Sequence, residues 1–275
     1  MKKILVPIDF SGDSINALEH AIVIANKFKA DIRMIHVKSK HANYDETFDF
    51  KDFNTVLSTS IKDYFEIKLK KYKDTIYGKL DYKIREGKIY IEICNQAKYD
   101  DSDLIVMGTH GVSGFESLWM GSNAYRVVSN APCPVLSLRF DYARKDFKKI
   151  VLPLDTTKET RQKVPLVTEL AKAFNAEILV VTISETDKQS IIRKLEQYNQ
   201  QVSEYIRNKD VKCTSDNLLG SNLTEVTLEY AEKNNADLIA IMTEQSESAK
   251  NIFLGPYAQQ MVNHSTLPVL SFRPY

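Results

Sequence analysis

The sequence predicts two doubly wound α/β domains in tandem, on three observations. Its 275 residues are enough for two domains that each bury a core of their own. Residues 2–9, KKILVPID, recur as KKIVLPLD at 148–155, and PVLSLR at 134–139 recurs as PVLSFR at 268–273. Within each copy, short apolar runs alternate with longer helical periodicity, which is typical of parallel strands joined by crossover helices. We therefore expect domains at residues 1–143 and 144–275.

The elements of the first copy follow in a regular order. An apolar run at residues 4–8 predicts the first strand, and Ser11 or Asp13 can cap the helix that follows it. Further strands are predicted at 32–37, 80–85, 104–107 and 135–139, and further helices at 53–76, 89–99 and 122–129. The second copy repeats this order but lacks a counterpart of the polar, aromatic stretch at 40–53. Thr156 and Glu159 predict a capping box at its first helix.

Composition and charge exclude several classes of protein. The chain is 43% hydrophobic and 27% charged, as globular proteins are, and its net charge is only +1. No overall field would therefore draw it to nucleic acid or to an anionic membrane. No apolar run approaches the roughly 20 residues of a membrane span, and no export signal is evident, so we expect a cytoplasmic protein. The three cysteines are odd in number and far apart, which predicts free thiols without a disulfide or metal site.

Residues that follow two of the predicted strands indicate a binding site. Parallel sheets bind ligands beyond the carboxyl ends of their strands, where the strand order reverses. Asp9 follows the first strand, and the glycine-rich run 108–114, GTHGVSG, follows the fourth and leads to Gly121 and Ser122 at a helix start. Glycines allow positive φ and close approach of the backbone, and free N–H groups at a helix start favour an anion. Phosphates at this helix and ribose hydroxyls at Asp9 together suggest a nucleotide.

Two common kinds of nucleotide enzyme, and one kind of hydrolase, are disfavoured by their missing motifs. The chain has no Gly-x4-Gly-Lys-Ser/Thr loop and no Gly-x-Gly-x-x-Gly directly after the first strand. The Gly-Val-Ser-Gly run at 111–114 is not a Gly-x-Ser-x-Gly elbow. The glycine loop therefore belongs to neither a P-loop enzyme nor a Rossmann dehydrogenase.

The glycine motif resembles that of the universal stress proteins. Gly108, Gly111, Gly121 and Ser122 match the Gly-x2-Gly-x9-Gly-Ser/Thr pattern of the ATP-binding members at every fixed position. The opening KKILVPIDFS, the HV at 36–37 and the closing APCPVLSLR at 131–139 are also similar to that family, and the likeness runs over both copies. The resemblance implies flavodoxin-like, five-stranded parallel sheets of the adenine nucleotide alpha hydrolase-like type, with ATP and its Mg²⁺ bound in the first copy.

The resemblance also implies which residues contact ATP. Asp9 would contact the adenosine, Met107 would line the ribose side, and the residues from 110 onward would hold the triphosphate. The complete implied set is Pro7, Ile8, Asp9, Val37, Met107, Gly108, His110, Gly111, Gly121, Ser122 and Asn123. His110 can be a ligand donor or a general acid or base.

The second copy departs from the motif. Met242 stands where Gly108 was, Gln245 where Gly111 was and Pro256 where Ser122 was, while Asp155 persists in place of Asp9. Side chains replace the close backbone approach and Pro256 lacks an N–H donor, so we expect one nucleotide per chain. The alternative is a second copy that binds a different or less phosphorylated ligand.

These observations predict an ATP-binding sensor or regulator of the stress response, with at most weak ATPase activity. Two alternatives remain open: a slow ATP-using enzyme, by hydrolysis or by adenylyl or phosphoryl transfer, and a dimerisation scaffold with a vestigial site. The last strand of each copy is apolar and suited to edge pairing. We expect the two copies to pair there as a pseudo-dimer, and the chain to form a homodimer.

Overall fold

The computed structural model describes residues 1–38, 48–49, 58–109, 120–139, 142–243, 245–248 and 251–274. Its strands are β1 (Lys3–Pro7), β2 (Asp31–Lys38), β3 (Phe48–Asp49), β4 (Ser58–Thr59), β5 (Leu80–Glu86), β6 (Leu104–Gly108), β7 (Val135–Leu138), β8 (Lys149–Leu154), β9 (Glu177–Ser184), β10 (Cys213–Leu219), β11 (Leu238–Met242), β12 (Gln245–Ser248), β13 (Asn251–Leu254) and β14 (Val269–Phe272). Its helices are α1 (Gly12–Phe28), α2 (Ile61–Tyr72), α3 (Ile89–Tyr99), α4 (Ser122–Asn130), α5 (Val164–Phe174), α6 (Gln189–Arg207), α7 (Leu223–Lys233) and α8 (Pro256–His264).

Both halves contribute to one continuous ten-stranded sheet. Its order is β10-β9-β8-β11-β14-β7-β6-β1-β2-β5, so each half supplies five strands. Pairing is parallel within each half, and the predicted α/β class with two doubly wound, five-stranded parallel sheets is confirmed. In the first half the chain order reverses between β1 and β6, where Ile4 lies beside Leu104. The carboxyl ends of these two strands flank the crevice that such a reversal creates.

The sheet is covered on both faces because its strand residues alternate between two cores. In β1, Ile4 and Val6 pack in one apolar cluster with α1, α2, α5 and α6, and Leu5 packs in the other with α3, α4, α7 and α8. Each cluster contains residues of both halves, so the core is continuous across the chain. None of the helices in the described ranges has the length and apolar character needed to cross a membrane.

The two halves join through the final strand of each. β7 and β14 pair antiparallel, with Leu136 opposite Leu270, as expected from their apolar sequences. The segment that connects the halves adds polar contacts: Asn16 Nδ2 donates to Tyr142 O at 3.0 Å, and Tyr142 Oη donates to Asp237 O at 2.9 Å. The carboxylate of Asp237, which is buried, also pairs with Arg144. The pseudo-dimer is therefore built within one chain.

Two predicted helix starts are wrong. The helix expected from residue 53 begins only at Ile61, where the Ser60 side chain caps it, because Ser58–Thr59 form a short strand with Phe48–Asp49. The capping box at Thr156 and Glu159 does not form. Thr157, not Thr156, accepts from the Thr160 amide at 3.3 Å, a 3-10 turn covers Glu159–Arg161, and α5 starts at Val164.

Candidate functional site

A cleft of about 410 Å³ opens beyond the carboxyl ends of β1, β2 and β6. It is lined by Pro7, Ile8, Asp9, Phe10, Ser14, Ile35, His36, Val37, Ile89, Ile93, Met107, Gly108, Thr109, Gly121, Ser122, Asn123 and Ala124. Every site residue expected from the sequence and present in the described ranges lies in this lining. His110 and Gly111 fall outside the described residues. The volume is within the range of about 300–1,000 Å³ typical of small-molecule sites.

The amino-terminal end of α4 presents backbone donors to this cleft. Its N-cap is Gly121, and in the described part of the chain no side chain caps the first turn. The Gly121 amide donates to Thr109 O at 2.8 Å, and the first bond inside the helix runs from Tyr125 N to Gly121 O. The amides of Ser122, Asn123 and Ala124 thus have no acceptor among the described residues. Three free donors at a helix start form a site suited to an anion.

A glycine is needed at position 108 because α1 packs closely against the end of β6, and not because the backbone there is left-handed. A β-carbon at Gly108 would lie 2.6 Å from Asp13 Cβ and 3.0 Å from the Asp13 carbonyl carbon, closer than real contacts allow. The sequence-based expectation of positive φ at this glycine is wrong, since the only described glycine with positive φ is Gly87. Close packing at Gly108 brings the first turn of α1 against the end of β6.

Asp9 is held in place by the residue that caps α1. Its Oδ1 accepts from the Ser11 amide at 3.1 Å and from Ser11 Oγ at 2.5 Å. Ser11, one of the two caps expected from the sequence, is the N-cap of α1 and accepts from Ser14 N at 3.2 Å. No described residue donates to Oδ2 of Asp9. A fixed carboxylate with one unused oxygen at the edge of the cleft can accept hydrogen bonds from ligand hydroxyls.

An aromatic group forms one wall of the cleft, and sequence reasoning missed it. Phe10 has φ +70°, and its ring centroid lies 4.5 Å from that of His36 and 4.8 Å from that of Tyr64. Burial lowers the pKa of His36, against the opposing effects of its contact with Ile8 O and of Asp9. Because Ile8 O can only accept, the Nδ1–H of His36 donates to it, at 2.8 Å. A strained non-glycine residue at a cleft is a signal that only the backbone angles give.

The second half has a much smaller counterpart of this cleft. Its volume is about 40 Å³, which holds only a few water molecules. It is lined by Pro153, Leu154, Asp155, Lys163, Ile183, Leu223, Thr227, Ile241, Met242 and Tyr257. Most of these positions correspond to lining positions of the first cleft. The cleft has been filled by side chains.

Met242 and Lys163 account for much of that filling. Met242 ends β11 where Gly108 ends β6, and its side chain is buried. We attribute the late start of α5 to it, because a helix as close as α1 is to Gly108 would leave no room for a methionine. Lys163 stands where the first half has Ala17, and its Nζ donates to Thr160 O at 3.0 Å and to Thr160 Oγ1 at 3.2 Å. Burial lowers the pKa of Lys163 to about 8, against the attraction of Asp155.

Metal chemistry has little support in the described residues. No cluster of three His, Cys, Asp or Glu side chains that could hold a metal ion occurs among them. Asp9 is the one carboxylate among the described residues that line the first cleft. A Mg²⁺ ion at this site would therefore rely mainly on its ligand's own phosphates.

The fold and the two clefts define a class: tandem doubly wound α/β proteins with one open cleft at a strand-order reversal and one filled cleft. Comparison with known proteins agrees with this class. The model of the universal stress protein family matches residues 1–139 and again residues 146–273. The chain therefore belongs to the universal stress protein family and carries two copies of its domain.

Individual relatives align with about half of the chain. Universal stress protein MJ0531 of Methanocaldococcus jannaschii is 35% identical over 140 residues, which are 50% of this chain and 82% of that protein. Universal stress protein YxiE of Bacillus subtilis is 29% identical over 147 residues, 50% of this chain and 98% of that protein. A universal stress protein structure from Archaeoglobus fulgidus DSM 4304 matches the fold over 98% of both chains, with a TM-score of 0.73 and 18% identity.

Proposed function

We propose that the first half of the chain binds one adenine nucleotide, ATP, and that occupancy of this site makes the protein a sensor or regulator in the stress response. One observation carries the proposal: the cleft of about 410 Å³ places the free amides of α4 and the fixed carboxylate of Asp9 around one space. The α4 amides would hold the phosphates, together with His110 and Gly111. Asp9 would accept the ribose hydroxyls.

The base would lie against the apolar part of the lining. Ile8 and Val37 are buried there, and Met107, also buried, would line the ribose side of the same surface. Ile89 and Ile93 of α3 complete the surface against the base. Their positions on α3 fit the core-facing periodicity of that helix, which is why the sequence did not mark them as binding residues. Electrostatic attraction by the helix start, and not by a lysine, would provide phosphate binding, because the described lining contains no Lys or Arg.

Nucleotide binding would act by stabilising the folded chain and by changing the surface that the chain presents. A nucleotide that binds only the folded chain stabilises it by about 2.7 kcal/mol at a concentration 100 times its Kd. Bound phosphates would also order the start of α4, which lies at the contact between the two halves. The two alternative functions make different predictions: a slow ATP-using enzyme would release product, and a scaffold with a vestigial site would bind no nucleotide. Dimerisation of the tandem chain remains a separate prediction, tested by light scattering.

Ser122→Pro tests the site by copying the second half. Proline is well tolerated at the first position of a helix, and Gly121 already has φ −56° and ψ +144°, which a following proline accepts. The substitution removes one amide donor and one hydroxyl. We expect ATP affinity to fall by about 10- to 100-fold, the range for a hydrogen bond to a charged group, with stability little changed.

Pro256→Ser is the matched control, because it restores the donor in the filled cleft. It should leave ATP affinity unchanged. Calorimetric titration of the wild type should give one ATP per chain, and phosphate release measured in parallel distinguishes a sensor from an enzyme. A stoichiometry of two, or full affinity in Ser122→Pro, would contradict the assignment to the first half.

A further inference from the structure

The second half contacts the first directly beside the proposed phosphate-binding helix. Met120, which precedes Gly121, donates its backbone N–H to Asn263 Oδ1 at 2.9 Å, and this hydrogen bond is buried. Asn263 lies on α8 of the second half, with 7% of its surface exposed. The Met120 side chain packs in the same apolar cluster as Leu254 and Met261 of the second half.

Two consecutive amides therefore fix the entry into α4, and they are held by different halves. Gly121 N donates to Thr109 O within the first half, and Met120 N donates to Asn263 in the second. A buried amide needs an acceptor, so loss of Asn263 Oδ1 would let this segment turn to find another. The amides of Ser122, Asn123 and Ala124 follow directly, and their direction depends on the segment before them.

The equivalent hydrogen bond, from the helix entry of the second half to the first half, has a different acceptor. Leu254, the counterpart of Met120, donates its amide to Tyr125 Oη of the first half at 3.3 Å. Ser129, the counterpart of Asn263, donates its hydroxyl to Tyr125 O inside its own helix, at 2.9 Å. Each helix entry thus receives a side-chain acceptor from the other half: a buried amide oxygen at 2.9 Å in the first half and a tyrosine hydroxyl at 3.3 Å in the second. The shorter and more buried hydrogen bond belongs to the half with the open cleft.

We propose that Asn263 is a positioning residue for phosphate binding in the other half, so that the second half serves as a built-in support for the first site. The inference rests on the proposed nucleotide function and adds a specific dependence to it. Asn263 does not contact the ligand; it sets the direction of the α4 amides through Met120. Loss of the Asn263 side chain should therefore weaken the binding of the phosphates of a nucleotide and leave the binding of its adenosine part unchanged.

The test compares two ligands in the full-length chain. Asn263→Ala should weaken ATP binding by about fivefold, the effect of one ordinary hydrogen bond, and change adenosine binding by less than about twofold. Both affinities are measured by displacement of a fluorescent adenine nucleotide. Asn263→Ser, whose oxygen is too close to its own backbone to reach the Met120 amide, replaces the alanine variant if that variant does not fold.

Tyr125→Phe is the matched control, because it removes the opposite hydrogen bond between the halves without touching the cleft. Its ATP and adenosine affinities should both stay within about twofold of wild type. Equal losses of ATP and adenosine binding in Asn263→Ala, or an unchanged ATP affinity, would overturn the inference. A wild-type chain that binds neither ligand would instead refute the proposed function itself, so the two failures are distinguishable.

Hydrogen exchange supplies a second readout that a general loss of stability does not mimic. In the wild type, ATP should slow exchange in α8 as well as at residues 120–125, because coupling between two sites is reciprocal. In Asn263→Ala, exchange at 120–125 should be faster without ligand, and the effect of ATP on α8 should disappear. Retained coupling to α8 in that variant would argue against Asn263 as the link.

Discussion

Lys163 should make the stability of this protein depend on pH in a way that one substitution removes. The side chain is fully buried in the filled cleft of the second half, with Nζ bonded to Thr160. Burial lowers its pKa from 10.5 to about 8 in the folded chain. The unfolded chain therefore binds more protons than the folded chain between pH 8 and 10.5, and stability rises with pH across that window.

The size of the effect follows from the two pKa values. Below pH 8 the buried ammonium costs about 3 kcal/mol of unfolding free energy, since each unit of pKa is worth about 1.4 kcal/mol. By pH 10 the remaining cost is below about 1 kcal/mol. Lys163→Met removes the ammonium, and it leaves Thr160 O without that donor, which costs about 1 kcal/mol. We expect the variant to be about 2 kcal/mol more stable than wild type at pH 7.

The assay is urea denaturation at 25 °C between pH 7 and pH 10. The difference in unfolding free energy between Lys163→Met and wild type should shrink by about 2–3 kcal/mol over this range. Other titrating groups affect both proteins and cancel in the difference. Lys158→Met is the control, because Lys158 is exposed and its loss should change stability by less than about 0.5 kcal/mol. A difference independent of pH would refute the buried, destabilising ammonium.

Three further outcomes are expected. Gly108→Ala should lower the free energy of unfolding by about 1–3 kcal/mol in urea denaturation, because the new β-carbon would lie 2.6 Å from Asp13 Cβ. Gly121→Ala is the control: its β-carbon would have a nearest contact of 3.4 Å, and it should cost less than about 1 kcal/mol in the same experiment. Asp9→Asn should weaken the binding of adenosine and of ATP alike, by about tenfold in titration. Ser11 should still cap α1 in this variant. A loss of affinity confined to ATP would contradict the role of Asp9 in binding the ribose. Burial raises the pKa of the Cys133 thiol to about 12. Iodoacetamide at pH 8 should therefore label Cys133 at least tenfold more slowly in the folded chain than in urea, as measured by mass spectrometry. Equal labelling rates would contradict a buried thiol.

The elements and the open cleft were predictable because their signals are local. The repeated strand sequences, the glycines before α4 and Asp9 after β1 each act within a few residues of chain. Met242 and Pro256 likewise showed that the second copy had changed. These features fix which strands end at the cleft and which backbone groups are exposed there.

The unpredicted features depend on contacts between distant segments. Lys163 is buried at the position that Ala17 occupies in the first half, and a lysine there does not by its residue type predict burial. It lies just before α5, which starts at Val164. Asn263 meets Met120 across more than half of the chain, through pairing of the two halves. The left-handed backbone of Phe10 is set by tertiary packing, since no glycine or asparagine marks the position.

The antiparallel join between β7 and β14 has a consequence for how such a protein can evolve. In an assembly of two identical chains, each mutation appears twice, so a site cannot be lost on one side and kept on the other. Here the paired strands belong to one gene product with two separate sequences, Val135–Leu138 and Val269–Phe272. One half can therefore carry Met242 and Lys163 while the other carries Gly108, so that an open and a filled cleft coexist on one paired sheet.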